Sequence, residues 1–562
     1  MGTGPPLPAP TTDSRMTLYF HTLRHLRPVQ VANRVWRHLY RPSPSMRPPP
    51  PRRPLTGPWT APASRAASMP APMTFRFLNE TRPIARGQWN ASFPSDLWRY
   101  NLHYFDDLNA QGAQARRDWH AEAIEDWISG NPPAAGAGWD AYPTSLRIVN
   151  WTKWALGGAL LSEPALRSLA IQARALRQRL EFHLLGNHLL ANAKALVFAG
   201  LFFEGEEADQ WLHKGMSTLA DQLPEQILAD GGHFERSTLY HALALEDVLD
   251  LINVGTAFRT SLPRRWLALA DSWPDIARRM RAWLSSMLHP DGEISFFNDA
   301  ATGVAPSPAE MERYAGALIG PPAPQVAYDG ALRLTHLADS GYLRLDAPDV
   351  TLLLDAGALG PDYLLGHAHA DTLSFELSAF GQRVIVNGGT STYTAGAVRD
   401  AERGTAAHST VTVDGVDSSK VWASFRVARR AKPFDLQLAQ NTDEIRVQCA
   451  HDGYRRLPGK PVHRRSWRLT ERALRVEDRI EGRCRSAVAR FHLHPDVAPS
   501  IDATATSGQL CLPNGRALRW RASGTVRIES SHFAPEFGRR LPARCLALQL
   551  PGDDPAWLEL AW

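Results

Sequence analysis

The 562-residue sequence predicts an α+β protein in which helices come first and antiparallel β-structure follows. Three observations support this fold class. From about residue 145 to 315, apolar residues recur with the 3.6-residue period of helices, and beyond about residue 330 apolar and polar residues alternate with period two. Between the two parts lies a Gly- and Pro-rich run at 320–324, which is typical of a domain boundary.

The helical part divides into segments that are rich in Ala, Leu and Arg. They break at Gly, Pro or Asn, which are the usual residues at helix ends. Helices that follow one another without intervening strands predict either a bundle or a toroid of helical hairpins. The predicted helices cover 164–184, 188–203, 206–229, 237–254 and 265–288.

The second part contains short alternating segments separated by polar turns, a pattern that predicts a large antiparallel sandwich. A chain of this length exceeds one compact core, so we expect two large domains, at 61–325 and 326–562, after an extension at 1–60. The predicted strands lie at 342–345, 350–354, 373–377, 383–386, 410–413, 444–448, 466–470, 488–492 and 557–560.

The extension is strongly basic, because residues 1–60 contain nine Arg, no Lys and a single acid, Asp13. Its Pro-rich part, 42–54, predicts an extended linker. Residues 16–41 read as a basic amphipathic helix interrupted at Pro28, which could touch an anionic membrane surface. Such helices more often pack on their own domain, and we favour that interpretation.

Composition excludes several classes of protein. The net charge is +5, so the chain after residue 60 is slightly negative, which argues against nucleic-acid binding by the folded part. No apolar run is long enough to predict a transmembrane helix. The start of the chain lacks the features of a secretory signal, whether Met1 or Met16 is the initiator. This predicts a cytoplasmic location by default and leaves a periplasmic or envelope-associated one open.

The most informative motif is Gly-His-Ala-His-Ala-Asp at 366–371, which runs into the strand-like segment 372–377. Two His residues at i and i+2 on an extended backbone point to opposite faces. We therefore expect one imidazole to face a cleft and the other to contact the scaffold or a metal. The pair alone is weak, and it gains weight from motifs upstream at 186–188 and 235–240.

Together these motifs resemble the heparinase II/III-like polysaccharide lyases, over most of the chain from about 90 to 430. The resemblance implies an N-terminal (α/α) toroid, a C-terminal β-sandwich and β-elimination at a uronic acid. In that reaction the C5 proton is removed and the 4-linked sugar departs. The stretches that carry the resemblance are 101–105, 186–190, 230–241, 366–371 and 403–408.

The resemblance assigns catalytic roles to Asn187, His188, Tyr240 and His367. Asn187 and His188 can donate hydrogen bonds to the substrate carboxylate, although Asn is also a good cap for the helix predicted at 188–203. Tyr240 would act as acid and base in turn. His367 is a second candidate base, contributed by the sheet domain, so we expect the cleft to lie between the domains.

Other site residues follow from the same resemblance. The predicted subsites bind an anionic polysaccharide, since Arg recognises carboxylate and sulfate groups. Glu235 and Arg236 are expected to orient their loop or to pair with each other. The residues predicted to line the subsites are Asn101, Tyr104, Arg147, Asn150 and Arg403.

A metal site is also implied, with His369, Asn387 and His408 as its ligands. Asn387 stands where the metal-binding relatives have Asp, and a neutral amide is a weaker zinc ligand than a carboxylate. We therefore expect no required cofactor, and a structural zinc is kept as an alternative.

The leading interpretation is a polysaccharide lyase that cleaves a uronate-containing polymer. A glycoside hydrolase on the same toroid would need two carboxylates, with Glu235, Asp299 and Asp371 as the candidates. A C5 epimerase would begin with the same proton abstraction. A non-catalytic polysaccharide-binding or assembly protein of an exopolysaccharide pathway is the remaining alternative. The sequence motifs do not encode which polymer is bound.

Overall fold

The computed structural model describes residues 14–40, 42–93, 95–322, 330–552 and 554–562. The predicted fold class is confirmed, since helices dominate up to residue 319 and antiparallel sheets follow from residue 333. The predicted domain boundary at 325/326 and the start of the chain at Met1 lie outside the described residues.

The helices of the first domain surround an apolar core rich in Trp, Leu and Ala. Within the described residues, no helix is both long enough and apolar enough to cross a membrane. In chain order the helices are α1 Arg15–Leu23, α2 Pro28–Leu39, α3 Asp96–Tyr104, α4 Arg117–Gly130, α5 Ala141–Leu156, α6 Glu163–Gln178, α7 Gly186–Phe202, α8 Glu206–Gln226, α9 Thr238–Ala257, α10 Arg264–Ser286, α11 Pro308–Ile319 and α12 Ala397–Arg403.

Helix α7 is the centre of this domain. Every residue from Leu189 to Phe202 is buried, and α7 packs against α5, α8 and α9. Its sequence is mostly apolar, and a helix of that kind is stable in water only when neighbours cover it. The buried Lys194 is paired with Asp247 and Asp250. The first turn of α7 is the exception: Asn187 and His188 are only partly buried there, at the edge of the helical domain.

The second domain consists of antiparallel strands, as the period-two pattern predicted. The strands are β1 Thr74–Phe77, β2 Glu80–Pro83, β3 Arg333–Leu337, β4 Tyr342–Ala347, β5 Val350–Asp355, β6 Phe375–Ala379, β7 Gln382–Ile385, β8 Val411–Val413, β9 Val421–Trp422, β10 Arg426–Val427, β11 Pro433–Gln440, β12 Glu444–His451, β13 Val462–Thr470, β14 Ala473–Glu481, β15 Ala487–His492, β16 Ala498–Ile501, β17 Ser507–Cys511, β18 Ala517–Ala522, β19 Val526–Glu536, β20 Arg539–Gln549 and β21 Ala556–Ala561, of which the β1–β2 hairpin belongs to the helical part of the chain.

Three large sheets share one core. Strands β3 to β7 form a sheet in sequence order; a second sheet has the order β11-β12-β13-β14-β21-β18-β17-β16, and a third the order β19-β20-β15-β8. Side chains from all three sheets, among them Leu352, Trp467 and Leu546, belong to one buried cluster. On β5, Val350, Leu352 and Leu354 alternate along the strand and all belong to this cluster, an arrangement that stabilises sandwiches.

The Pro-rich segment 42–54 is extended, as predicted, but it is not a free spacer. The backbone N–H of Arg53 donates to the Phe202 carbonyl at 2.8 Å, and the Arg174 guanidinium donates to the carbonyls of Ser45, Arg47 and Pro48. The segment is therefore held along the helical domain by hydrogen bonds from its surface.

The basic segment predicted at 16–41 forms α1 and α2, with the break just before Pro28. Both helices pack on the protein. The amide of Gln30 lies 3.3 Å from the Tyr363 carbonyl of the β-domain and 3.5 Å from the Leu184 carbonyl of the helical domain. The α2 helix thus spans the junction of the two domains.

Candidate active site

Two aromatic rings from different domains meet at the junction. Tyr240 lies in the first turn of α9, where the Ser237 side chain caps the helix by accepting from the Tyr240 N–H. His367 lies in the loop that precedes β6. The two rings stack with their centroids 3.7 Å apart and their planes at 26°. His367 of the β-domain thus faces Tyr240 of the helical domain, and the site predicted between the domains corresponds to this pair.

A buried carboxylate orients His367. Nδ1 of His367 lies 2.9 Å from Oδ2 of Asp299, which is fully buried. Burial alone would raise the pKa of Asp299, but the Arg399 guanidinium and two imidazoles hold that pKa well below its usual range. Because an ionised carboxylate only accepts hydrogen bonds, Nδ1 of His367 carries the proton and Nε2 is left as the basic nitrogen.

The motif at 366–371 differs from its predicted geometry. It is an irregular loop, and the strand begins only at Phe375. Both imidazoles contact the same carboxylate, since Nε2 of His369 lies 2.8 Å from Oδ1 of Asp299. The expectation that they point to opposite faces of a strand is therefore wrong. The expected division of roles describes the site all the same, since the His367 side chain retains 13% exposure and His369 is fully buried.

The phenol of Tyr240 has a second aromatic neighbour. Its hydroxyl lies 2.9 Å from the hydroxyl of Tyr393, and the Arg399 guanidinium lies 4.9 Å from the Tyr393 ring centroid. Burial raises the pKa of Tyr240 well above 10. Tyr240 therefore keeps its proton at neutral pH and is suited to donate it.

Asn187 and His188 form the rim of the site on the helical side. Helix α7 begins at Gly186 after Leu185, whose φ is 68°, so Asn187 is the second residue of the helix and not its cap. Its backbone N–H donates to Oε1 of Glu235 at 3.2 Å. Among the described residues, no hydrogen bond is made by its side-chain amide, which is therefore available at the partly exposed helix end.

Gly186 makes this rim possible. Its φ is 55°, and a Cβ there would lie 2.3 Å from Cδ2 of Leu364 and 2.8 Å from Oε1 of Glu235. Any other residue would be strained by this left-handed backbone and would have to displace the Leu364 and Glu235 side chains. Glycine is therefore favoured at the start of α7.

His188 faces the same opening, with its side chain 30% exposed. Its Nδ1 lies 3.2 Å from Oε2 of Glu181, and its ring lies 4.4 Å from that of Tyr142. Burial acts to lower the pKa of His188, but the Glu181 carboxylate outweighs it and raises that pKa above its usual value. The protonated imidazole is thus favoured, which suits binding of an anion.

Glu235 lies behind the rim and is 4% exposed. Burial raises its pKa, and its Oε2 lies 3.8 Å from Nε2 of His367. Arg236 points away, with its guanidinium donating to the carbonyls of Ala358 and Asp339. The expected pairing of Glu235 with Arg236 is wrong; each orients a different loop.

The residues predicted to line the subsites are mostly engaged within the protein. The Arg147 guanidinium is fully buried, donates to Gln172 Oε1 at 3.0 Å and lies 3.8 Å from the Trp127 ring centroid. The Asn150 amide donates to the Tyr104 carbonyl at 2.9 Å, and the Asn101 amide donates to a carbonyl of its own helix. None of these groups reaches the cleft.

Arg403 and Tyr104, which were also predicted to line the subsites, have different surroundings. The Arg403 guanidinium is fully buried and donates twice to the Ala368 carbonyl, at 2.9 and 3.1 Å. It does not line the cleft; it holds the backbone between His367 and His369. Tyr104 is 8% exposed and contacts Tyr142 edge-on at 5.9 Å, so it supports the ring that lies against His188.

The side chains of the three residues predicted to bind zinc do not point to a common centre in this structure. Nδ1 of His369 and Nε2 of His408 face each other at 3.0 Å, but the Asn387 side chain is turned to Ser374 and to the Ser409 N–H. Two donors remain where structural zinc takes four. Among the described residues, no group of three or more His, Cys, Asp or Glu has a geometry that could hold a metal ion.

The carboxylates considered for a hydrolase are not a free pair. Asp299 accepts from two imidazoles and a guanidinium, and Asp371, 1% exposed, accepts from the Asn298 N–H at 2.9 Å. Glu235 alone borders the opening. This arrangement lacks the two opposed carboxylates that glycoside hydrolysis requires.

Three residues of the site, Asp299, Tyr393 and Arg399, received no role in the predicted lyase site. Asp299 follows the predicted helices in Phe-Phe-Asn-Asp, and Tyr393 lies in Thr-Ser-Thr-Tyr, neither of which is a motif. Arg399 lies 100 positions from the carboxylate that it contacts. Only the fold brings the three together.

Comparison with known proteins identifies the family. The N-terminal heparinase II/III family model matches residues 114–315, and the C-terminal heparinase II/III-like model matches residues 330–556. Among solved structures, the heparan sulfate lyase HepC mutant from Pedobacter heparinus superposes with a TM-score of 0.58 at 18% identity, over 87% of this chain and 81% of that one. A heparinase III structure superposes with a TM-score of 0.64 at 18% identity, over 84% of this chain and 78% of the other.

Two sequence relatives complete this comparison. FtsZ-localized protein C of Caulobacter vibrioides is 26% identical over 483 residues, which is 80% of this chain and 79% of the relative. A heparin-sulfate lyase of Pedobacter heparinus is 27% identical over 248 residues, 41% of this chain and 36% of the relative. With both family models matched in order across the helical and β-domains, the chain belongs to the heparinase II/III-like family.

Proposed function

We propose that this protein is a lyase that cleaves a uronate-containing, anionic polysaccharide by β-elimination. The observation that carries the proposal is the stacked pair of Tyr240 and His367, with ionised Asp299 behind His367 and the Asn187–His188 rim beside it. An acid, a base and donors for a carboxylate are thus grouped at one opening. The lyase names of several relatives support the same reaction class.

The obstacle in this reaction is the weak acidity of the C5–H bond, since the neighbouring carboxylate anion disfavours a carbanion. In the proposed mechanism the Asn187 amide and protonated His188 donate hydrogen bonds to that carboxylate. Charge that moves from C5 onto the carboxylate oxygens is then stabilised more strongly in the transition state than in the ground state.

His367 acts as the base. Its Nε2 takes the C5 proton while Nδ1–H remains bonded to Asp299, so the imidazolium that forms is stabilised by a buried anion. The electron pair of the C5–H bond becomes the C4=C5 double bond. The C4–O bond breaks, and Tyr240 donates its proton to the departing oxygen, which stays on the neighbouring sugar. The phenolate then regains a proton and His367 loses one, so no water is consumed.

The test is ultraviolet absorbance during incubation with uronate polymers, such as heparan sulfate and alginate, for the wild type, Tyr240→Phe and His367→Gln. We expect the absorbance of an unsaturated uronate to rise with the wild type on at least one polymer. Both variants should lower the rate by about 100- to 10,000-fold. Chain shortening without this absorbance would contradict the proposal and favour a hydrolase. Exchange of the C5 proton with solvent deuterium, without cleavage, would favour an epimerase.

A second candidate function rests on a different observation. FtsZ-localized protein C aligns with 80% of this chain, about twice the share that aligns with the Pedobacter heparin-sulfate lyase. On that ground, association with FtsZ is the alternative role. Co-sedimentation with polymerised FtsZ tests it. Binding that is unchanged in Tyr240→Phe, together with absence of any lyase product, would favour the non-catalytic role.

A further inference from the structure

The two N-terminal helices are oriented the opposite way from ordinary surface helices. In α2 the residues that face the body of the protein are polar: Gln30 is buried against two carbonyls, and the Arg37 guanidinium lies 3.5 Å from His183 Nδ1. The side chains on the opposite side are apolar, with Val35 54% exposed and Leu39 78% exposed. An amphipathic helix of a water-soluble domain normally buries this side.

Helix α1 also exposes apolar side chains. Thr22 contacts the Trp422 indole N–H at 3.2 Å, whereas Phe20 and Leu23, at helical spacing on the outer face, are 63% and 50% exposed. The described chain has seventeen exposed large apolar residues, and ten of them lie between residues 16 and 40. We define the N-terminal apolar surface by six of them: Met16, Phe20, Leu23, Val35, Trp36 and Leu39.

The two helices themselves carry charged side chains of one sign. Residues 14–40 contain five Arg and no Asp or Glu. Arg15 and Arg34 are exposed next to the apolar stripes, while Arg27 pairs with Glu225 and helps to fix the helices on the body. A large apolar patch with a basic border on a soluble protein indicates an interaction site.

We propose that this surface binds an anionic lipid bilayer, with α1 and α2 lying in the plane of the interface. Val35, Trp36 and Leu39 would enter the boundary between head groups and acyl chains, and the Arg side chains would contact lipid phosphates from the rim. Trp36 stacks on Tyr40 at 4.9 Å, and such rings are favoured at the membrane–water interface. This proposal does not depend on the lyase proposal. Binding of α1 and α2 to a bilayer would bring the junction of the two domains, which α2 spans, close to the membrane surface.

Charge complementarity favours an anionic bilayer over a second copy of the chain as the binding partner of this surface. A two-fold dimer through this face would bring the same patch against itself. The exposed Arg15 and Arg34 of one copy would then face those of the other without an acid in either segment, and that repulsion would oppose association. A bilayer that contains phosphatidylglycerol supplies the opposite charge together with an apolar interior.

The experiment is flotation of the full-length protein with vesicles, either of phosphatidylcholine alone or of phosphatidylcholine mixed with phosphatidylglycerol. We expect flotation with the anionic vesicles only, and weaker binding at high salt. Trp36→Ser/Leu39→Ser should lower partitioning roughly 100-fold through lost apolar burial. Arg15→Gln/Arg34→Gln should lower it about 30-fold through lost lipid attraction.

Matched controls are Leu160→Ser, which removes an apolar side chain that is 86% exposed elsewhere, and Arg479→Gln, which removes an exposed charge on the β-domain. Both should float as the wild type does, and circular dichroism should show every variant folded. Failure of the wild type to float with anionic vesicles would overturn the proposal. Equal flotation of Trp36→Ser/Leu39→Ser would do so too. Concentration-dependent dimerisation that this variant abolishes would assign the surface to a second copy instead.

Discussion

Two regions of the helical domain contain similar polar side chains but use them differently. One is the candidate site, with the Asn187–His188 rim in the first turn of α7 and Tyr240 in the first turn of α9; the other is the region between α3 and α5. On the rim, the Asn187 amide has no described hydrogen-bond partner and the His188 side chain is 30% exposed. Between α3 and α5, Asn150 and Arg147 are buried, and their donors are taken up by carbonyls and by Gln172.

The difference teaches that a polar residue in a motif indicates neither a functional nor a structural role until its partners are known. A buried polar group must be hydrogen-bonded, and once its donors are used within the fold it cannot bind a substrate. On the rim, Asn187 and His188 are partly exposed, and the Asn187 side-chain amide donates to no described residue. We therefore expect substitutions on the rim to affect catalysis and those between α3 and α5 to affect stability.

The largest expected effect compares two tyrosines, one from each region. Tyr240→Phe removes only the hydroxyl that is assigned as the acid, so kcat/KM should fall about 100- to 10,000-fold, with the unfolding midpoint nearly unchanged. Tyr104→Phe is the matched control and should stay within about threefold of the wild-type kcat/KM. Steady-state kinetics on the responsive polymer measures both. Equal losses in the two variants would remove the proposed contrast.

A stability comparison sharpens the same contrast from the other side. Arg147→Ala leaves a cavity beside Trp127 and removes the donors to Gln172 and His103, so the free energy of unfolding should fall by about 3 kcal/mol. Asn187→Ala should change it by less than about 1 kcal/mol, because that side chain is partly exposed. Urea unfolding measures both. A larger loss for Asn187→Ala would contradict the assignment of Asn187 to substrate binding.

The next effect concerns pH. Glu181 raises the pKa of His188, and the protonated form is the one assigned to carboxylate binding. Activity should therefore fall as pH rises through the pKa of His188, and Glu181→Gln should move that fall to lower pH. The stabilising contribution of protonated His188 has the same sign: it is fully present below the unfolded-state pKa and lost as pH rises through the higher folded-state pKa.

The measurement is the pH profile of kcat/KM for wild type and Glu181→Gln, with His188→Gln as a reference that lacks the titrating group. An alkaline limb that stays in place in Glu181→Gln would contradict the role given to His188. A limb that also persists in His188→Gln would assign it to another group.

The smallest expected effect is that of metal removal. The His369–His408 pair provides two donors, with Asn387 turned elsewhere, so dialysis against a chelator should change the melting temperature by less than about 2 °C. It should also leave kcat/KM within about twofold. Mass spectrometry of metal content checks this directly. One zinc ion per chain, retained through dialysis, would contradict this expectation.

Much of the fold could be predicted because its signals are local. The helix predicted at 188–203 is α7 at Gly186–Phe202, and the one predicted at 237–254 is α9 at Thr238–Ala257. Gly186 and the Ser237 cap define the starts of these helices, and both lie next to the residues of the site. Strand β5 at Val350–Asp355 matches its predicted span in the same way.

The site was less predictable than the fold. Tyr240 and His367 stack on each other, and Glu235 contacts both His367 and the Asn187 N–H. The Asp299 carboxylate that orients His367 was a candidate only for the hydrolase alternative. Arg147 and Arg403 are of the type that binds anions, yet both lie within the protein. Whether an Arg meets substrate or a carbonyl depends on residues far away in the chain, which a local pattern does not encode.

The sequence by itself determined the order of helices and strands and the amphipathic character of α1 and α2, since periodicity and capping act over a few residues. It also contained the motifs at 186–188, 235–240 and 366–371. Only the tertiary structure decided that Arg399 and Asp299 join behind His367, that Tyr393 meets Tyr240, and that α2 turns its polar side inward. The physical reason is that burial and hydrogen-bond partners are set by the packing of distant segments, and these quantities determine which polar groups remain free to act.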